Sequence, residues 1–281
     1  MKGGLGNQMF QYALGHKLTL MGKTVKYDIS GYNRKGQPLR KLELSLFDLK
    51  LPLATEKELI RMGHGNSILG KVCRKGGLGK NRIYMEDIDK GYQPFIFAMD
   101  DRYLDGYWQS EKYFKDIRAE ILNIYKMPDS VSRENEDLLA EIERENSVSL
   151  HIRRGDYLNE QNRKVYGGIC TRHYYENALE TVRRKMKDIK VYIFTDDPEW
   201  VKRNFVYQDS VVVEANTGKN NGFDLFLMSK CKANIIANSS FSWWGAWLNQ
   251  NRDKIVIAPT RWFNNHEISD AICEDWIRIE G

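Results

Sequence analysis

The chain has 281 residues, 42% hydrophobic and 29% charged, which suits one large or two medium globular domains with a sizeable core. Its formal net charge of +5 suits an anionic ligand but is too small and too dispersed for a nucleic-acid-binding protein. Cys73, Cys170, Cys231 and Cys273 show no metal-ligand spacing, no apolar run reaches membrane-span length and no signal peptide opens the chain, so reduced thiols, no structural zinc and a cytoplasmic setting are expected.

The opening Lys2-Gly3-Gly4-Leu5-Gly6-Asn7 leads into a helix predicted over residues 8–20, where Met9, Tyr12, Ala13, His16 and Leu20 recur at helical spacing. Glycines let backbone approach a phosphate, and a helix start offers N–H groups and a positive dipole end, so this turn suits an anion. An ordinary tight turn is the competing reading, since the string matches neither GxGxxG nor a P-loop. A short strand is predicted at 25–29. Such a loop normally follows a strand, so the first domain is expected to lack the first strand of its sheet.

Residues 30–40 read as a loop. Thr55 and Glu58 form a capping box for a helix over 55–62. Residues 63–80 read as a basic loop with no catalytic role. A helix is predicted over 111–125, with Tyr113, Ile117, Ile121 and Leu122 on one face. Pro128 ends that pattern, residues 129–146 are highly charged, and the junction between domains 1–135 and 136–281 is placed near residues 126–146.

The second half alternates. Strands are predicted at 147–152, 191–195, 211–213, 233–237 and 254–258, with helices at 174–187, 198–204, 224–231 and 242–249. Alternation of this kind gives a parallel sheet wrapped by helices, hence an α/β fold.

Three turns of this half carry chemistry. His151-Ile152-Arg153-Arg154-Gly155-Asp156-Tyr157 delivers two guanidiniums, an imidazole and a carboxylate at the C-terminal end of a strand, where ligands of open α/β sheets bind. An arginine fork matches phosphate oxygens bidentately, although a solvated arginine pair reads equally well from this motif alone. Asn238, Ser239, Ser240, Phe241 and Ser242 lie between a strand and a helix and resemble a second phosphate cradle; Ser242 can also be a plain N-cap. Trp243, Trp244 and Trp247 read as core. Asp196 and Asp197 end a strand and suit a metal ion, a ribose or base contact, or a helix cap. His16, His64, His173 and His266 lack ligand spacing.

Taken together, GGLGNQMFQYA (residues 3–13), GYWQSEKYF (106–114), HIRRGDY (151–157), YIFTDD (192–197) and NSSFSWWGAWL (238–248) resemble the bacterial-type α-1,2-fucosyltransferases of glycosyltransferase family 11. The resemblance spans nearly the whole chain in family order. It implies a GT-B-like fold of two Rossmann-like domains facing a central cleft. It also implies inverting, metal-independent transfer of fucose from GDP-β-L-fucose to a galactose 2-hydroxyl, with no cofactor. Carried over by position, Arg153 neutralises the β-phosphate, and His151 and Asp156 shape the same pocket. Asp196 lies near the nucleoside. Arg154, Asn238, Ser239, Ser240, Phe241 and Ser242 line the nucleotide side, and Gly4, Gly6, Asn7 and Gln8 approach the diphosphate or fucose from the first domain. Asp156 is a poor general base, because two adjacent arginines stabilise its ionised form.

Competing readings are α-1,6-type transfer, a metal-dependent transferase using Asp196 and Asp197, and a non-catalytic nucleotide-sugar-binding module. The acceptor is not encoded legibly. A lipid-linked O-antigen or capsule intermediate would bring a peripheral contact with the inner membrane.

Overall fold

The computed structural model describes residues 1–33, 41–65, 67–128, 131–155, 159–205, 207–216, 222–266 and 270–281. The chain divides into two compact units, Met1–Ile124 and Tyr125–Gly281.

In the first unit, α1 (Leu5–Leu20) buries Leu5, Met9, Phe10, Ala13, Leu14 and Leu18. The capping box forms as predicted at α2 (Glu56–Arg61): Glu58 N–H donates to Thr55 Oγ1, and the Glu58 carboxylate accepts from Thr55 N–H at 2.8 Å. The basic stretch read as a loop contains a further helix, α3 (Ile68–Lys75), capped by Ser67. A parallel pair comes next, β1 (Ile83–Met85) with β2 (Tyr103–Asp105), and then α4 (Arg118–Ile124). The strand expected at 25–29 is reduced to a single parallel bridge, Tyr27 to Leu53. The helix expected over 111–125 is broken at Phe114, whose φ of −149° is not helical, into two 3-10 turns and α4. Among the described residues this unit therefore pairs less backbone than the Rossmann-like domain expected of it.

The second unit begins with α5 (Arg133–Arg144), β3 (Asn146–Ile152), α6 (Glu160–Tyr166), α7 (Arg172–Lys185), β4 (Ile189–Thr195), α8 (Pro198–Asn204) and β5 (Ser210–Val212). It continues with α9 (Phe223–Lys230), β6 (Ala233–Ile235), α10 (Ser240–Trp247), β7 (Ile255–Pro259) and β8 (Ile277–Ile279). The unit boundary precedes the expected 135/136 division. The reason is that α5 is tied to the second unit: Asn135 exchanges hydrogen bonds of 2.8 Å with Asn216, which also donates to Asp224 on α9.

All pairings in the six-stranded sheet are parallel, in the order β5-β4-β3-β6-β7-β8. β4 reads as a near-continuous apolar run, while β3 alternates Val148, Leu150 and Ile152 with Ser147, Ser149 and His151, all buried because helices cover both faces. Val148, Leu150, Val191, Ile193, Ala233, Ile235 and Ile257 interlock with Tyr174, Ala178, Leu179 and Val182 of α7. Trp243, Trp244 and Trp247 are buried with ring centroids 4.9–5.9 Å apart, the core role expected of them. The α/β class predicted from sequence holds, and the chain is GT-B-like in its succession of two α/β units.

Candidate functional site

Counted within the second unit alone, the strand order is 3-2-1-4-5-6, the doubly wound order of a nucleotide-binding domain. Its direction of winding reverses between β3 and β6, and beyond the C-terminal ends of those two strands a crevice is unavoidable. A cavity of about 190 Å³ lies there, lined from the β3 side by Arg153 and Arg154 and from the β6 side by Ala237 and Asn238. Arg163 and Tyr166 of α6, with Gly167, Gly168 and Cys170, close it. Three arginines and no acid among the described lining residues make it a cavity for an anion.

The arginines are held in different ways. Arg153 Nη1 pairs with Asp196 Oδ2 at 2.9 Å, and the other oxygen of Asp196 accepts from Arg154 N–H at 2.9 Å. One carboxylate thus ties the guanidinium and the backbone of the turn to the end of β4. Gly155 permits this approach: a Cβ there would stand 2.4 Å from Asp196 Oδ2. Arg154 Nε donates to Asp197 Oδ2 at 2.9 Å, and its guanidinium lies 3.9 Å from the centre of the Trp200 ring. Asp197 also caps α8 through Trp200 N–H at 3.2 Å. Of the alternatives open for the two acids, bracing the arginine turn and capping a helix are the ones the geometry displays. Asp196, expected beside the nucleoside, is engaged with the turn. Asp156 lies outside the described residues.

His151 is buried at the end of β3, and its Nδ1 has no hydrogen-bond partner among the described residues. Burial, reinforced by Arg153 and opposed by Asp196, pushes its pKa down to about 3, so the ring is neutral near pH 7. It brings shape and a directed nitrogen to the site, not charge. Its ring centroid is 5.9 Å from that of Phe241.

The second predicted cradle divides. Asn238 is a brace: its Nδ2 donates to the carbonyls of Tyr166 at 3.1 Å and Trp262 at 3.2 Å, and its Oδ1 accepts from the Cys170 thiol. Its surroundings push that thiol up to about 12, which favours the protonated form. Ser242 is buried and turns its hydroxyl back to the carbonyls of Ala237 and Ser239. Ser239 caps α10 through Phe241 N–H at 3.4 Å. Ser240 and Phe241 are the partly accessible members of the turn.

In the first unit the glycine turn is occupied from within. Gly4 is the N-cap of α1, and the next N–H, that of Leu5, donates to the Glu43 carboxylate at 2.9 Å. Gln8 is fully buried; its Nε2 donates to the carbonyls of Gly3 and Lys41, and its Oε1 accepts from Glu43 N–H at 2.8 Å. It is a structural brace where a ligand-binding amide was expected. Gly6 is buried in the first turn, and Asn7 Oδ1 accepts from Gln109 at 2.5 Å. A separate cavity of about 600 Å³ in this unit is lined in part by Tyr27, Asp28, Tyr103 and Trp108. Burial opposes ionisation of Asp28. Hydrogen bonds from His64, Ser30 and Tyr103 outweigh it and hold the carboxyl well below the usual carboxylate range.

Sequence reasoning missed Arg163 because it missed α6. The available signal was Asn159, whose side chain caps that helix through Asn162 N–H at 2.8 Å.

The family model for glycosyl transferase family 11 matches residues 92–280. An α-1,2-colitosyltransferase of Escherichia coli is 34% identical over 100% of this chain and 97% of its own. The O-antigen biosynthesis glycosyltransferase WbnK of Escherichia coli is 32% identical over 99% of each chain. The galactoside 2-alpha-L-fucosyltransferase SEC1 of Bos taurus is 29% identical over 52% of this chain and 41% of its own.

Proposed function

We propose, starting from the fact that the chain belongs to glycosyl transferase family 11, that it transfers L-fucose from GDP-β-L-fucose to the 2-hydroxyl of a terminal galactose on a glycan, with inversion. The observation that carries this reading is the arginine-lined cavity at the reversal point of the second unit's sheet. The bovine relative, a galactoside 2-alpha-L-fucosyltransferase, suggests donor sugar and acceptor.

Glycosyl transfer builds negative charge on the departing diphosphate and positive charge on the sugar ring. Donors already fixed in place stabilise the first of these without reorganising. Arg153 is fixed by Asp196, so its fork meets the diphosphate at little entropic cost. Arg163 adds a second cation, and Arg154, with its Asp197 and Trp200 partners, stiffens the wall. In this scheme the guanidiniums carry the charge role that a divalent cation plays in other transferases, and transfer needs no metal. His151 positions, because a neutral ring supplies no charge. The acceptor galactose is assigned to the first unit, whose larger cavity offers aromatic faces and an ionised carboxylate, groups suited to a sugar's C–H face and hydroxyls.

A second donor is favoured by one observation: the colitosyltransferase relative matches this chain over its whole length, the bovine fucosyltransferase over about half. The deciding experiment incubates the protein with GDP-fucose or GDP-colitose and a panel of galactosides, with and without EDTA, and assigns the product linkage by NMR. An α-1,2-fucosylated galactoside formed equally in EDTA is expected. Turnover with GDP-colitose alone overturns the donor, another linkage overturns the acceptor position, and loss of activity in EDTA overturns metal independence.

A further inference from the structure

Helix α3 is built inside out. The residue it buries is Gly70, packed so closely on Gly65 that a Cβ there would lie 2.7 Å from the Gly65 Cα. Ile68, Leu69 and Val72 point away from the unit and are 84%, 64% and 62% exposed, with Leu78 exposed just beyond. Val72 lies four residues after Ile68 and three after Leu69, both neighbouring spacings on a helix surface, so the three aliphatic chains form one patch. An aliphatic patch facing water is costly unless something covers it.

Within the segment that carries the patch the charge is of one sign, with Glu56 the carboxylate at its edge. Residues 59–85 contain no Asp or Glu. Lys71, Arg74, Lys75 and Lys80 are exposed and have no carboxylate partner among the described residues. On α6 and α7, by contrast, three cations are answered one turn away: Lys164 by Glu160, Arg172 by Glu176 and Arg184 by Glu180. The α3 segment is also firmly mounted. Ser67 N–H donates to Glu56 at 2.9 Å, and Gly63 and Gly79 meet so closely that a Cβ on Gly63 would be 2.7 Å from the Gly79 carbonyl carbon.

We propose that α3 and the turn after it are a docking face for an anionic lipid bilayer. Aliphatic side chains would enter the interface while the cations meet phosphate headgroups, the division of labour of an interfacial amphipathic helix. A second copy of this chain is a poor occupant, because it would set one net-cationic patch against another. The inference does not depend on the transfer reading, and its main measurement needs no turnover.

The test is co-sedimentation of the whole protein with vesicles of phosphatidylcholine containing about one-third phosphatidylglycerol, against pure phosphatidylcholine. Binding to the anionic vesicles is expected, weakened at least about tenfold by Lys71→Glu/Arg74→Glu/Lys75→Glu and likewise by Ile68→Ser/Leu69→Ser/Val72→Ser. Thermal melting confirms that each variant is folded, and Leu69→Gln alone substitutes for a triple variant that is not. Turnover of a water-soluble galactoside should be unchanged in all of them. The proposal is overturned if the wild type ignores anionic vesicles, binds both vesicle types equally, or is matched by either variant. A concentration-dependent dimer that the serine variant abolishes would assign the patch to a second copy instead.

Discussion

The turn ahead of α1 and the turn after β3 each bring glycine, polar side chains and backbone donors to the end of a regular element. They differ in what answers those groups. At α1 the chain answers them itself: Glu43 takes Leu5 N–H, and the Gln8 amide is saturated by Gly3, Lys41 and Glu43. After β3, internal partners fix the frame, Asp196 and Asp197, while arginine side chains still line a cavity. A motif's donors therefore indicate a ligand only once the chain's own acceptors have been counted.

The strongest challenge to this contrast is Arg153→Lys. An ammonium keeps the charge and loses the fork, so kcat should fall roughly 100-fold or more, about 3 kcal/mol of transition-state stabilisation. Near-normal turnover of GDP-fucose would remove Arg153 from its role. On the other side, Gln8→Leu keeps size and removes three buried hydrogen bonds, at a cost of about 2 kcal/mol of folding stability. Denaturant melts should register that loss, while kcat/KM of the folded fraction stays close to wild type. A variant of full stability that no longer binds donor would make the two turns equivalent after all.

His151 sharpens the comparison by a smaller amount. The unfolded ring protonates near 6.5 and the folded ring only near 3, so stability is complete above pH 6.5 and falls as pH drops toward 3. From pH 6.5 to about pH 5 the loss should be about 1.5 kcal/mol, and His151→Asn should flatten that slope in urea titrations. An unchanged slope would mean that the ring is not held neutral.

Much of the second unit was legible from sequence. The apolar run of β4 and the alternation of Val148, Leu150 and Ile152 in β3 both read as strands, and Asp197-Pro198 marks the start of α8 within a residue. The capping box at Thr55 and Glu58 was equally plain, because local chemistry fixes it. α3 was not legible: periodicity locates helices by the face they bury, and α3 buries a glycine. Gln8 and Asn238 have internal roles that were hidden for another reason. An amide beside glycines or serines has the composition of a ligand site, and only the fold reveals that its partners are carbonyls from residues as distant as Lys41 and Tyr166. The cavity escaped prediction in part because α6 supplies Arg163 and Tyr166, and no helix was predicted there.

The contact between Gly155 and Asp196 also limits how this protein can diverge. With no room for a methyl group between them, neither position can accept a bulkier side chain unless the other yields, so the two are coupled in any library of variants. Random mutation at one will sample almost entirely losses. Donor preference is therefore more accessible through the outer wall of the cavity, from Arg163 to Gly168, whose backbone is not trapped against a carboxylate.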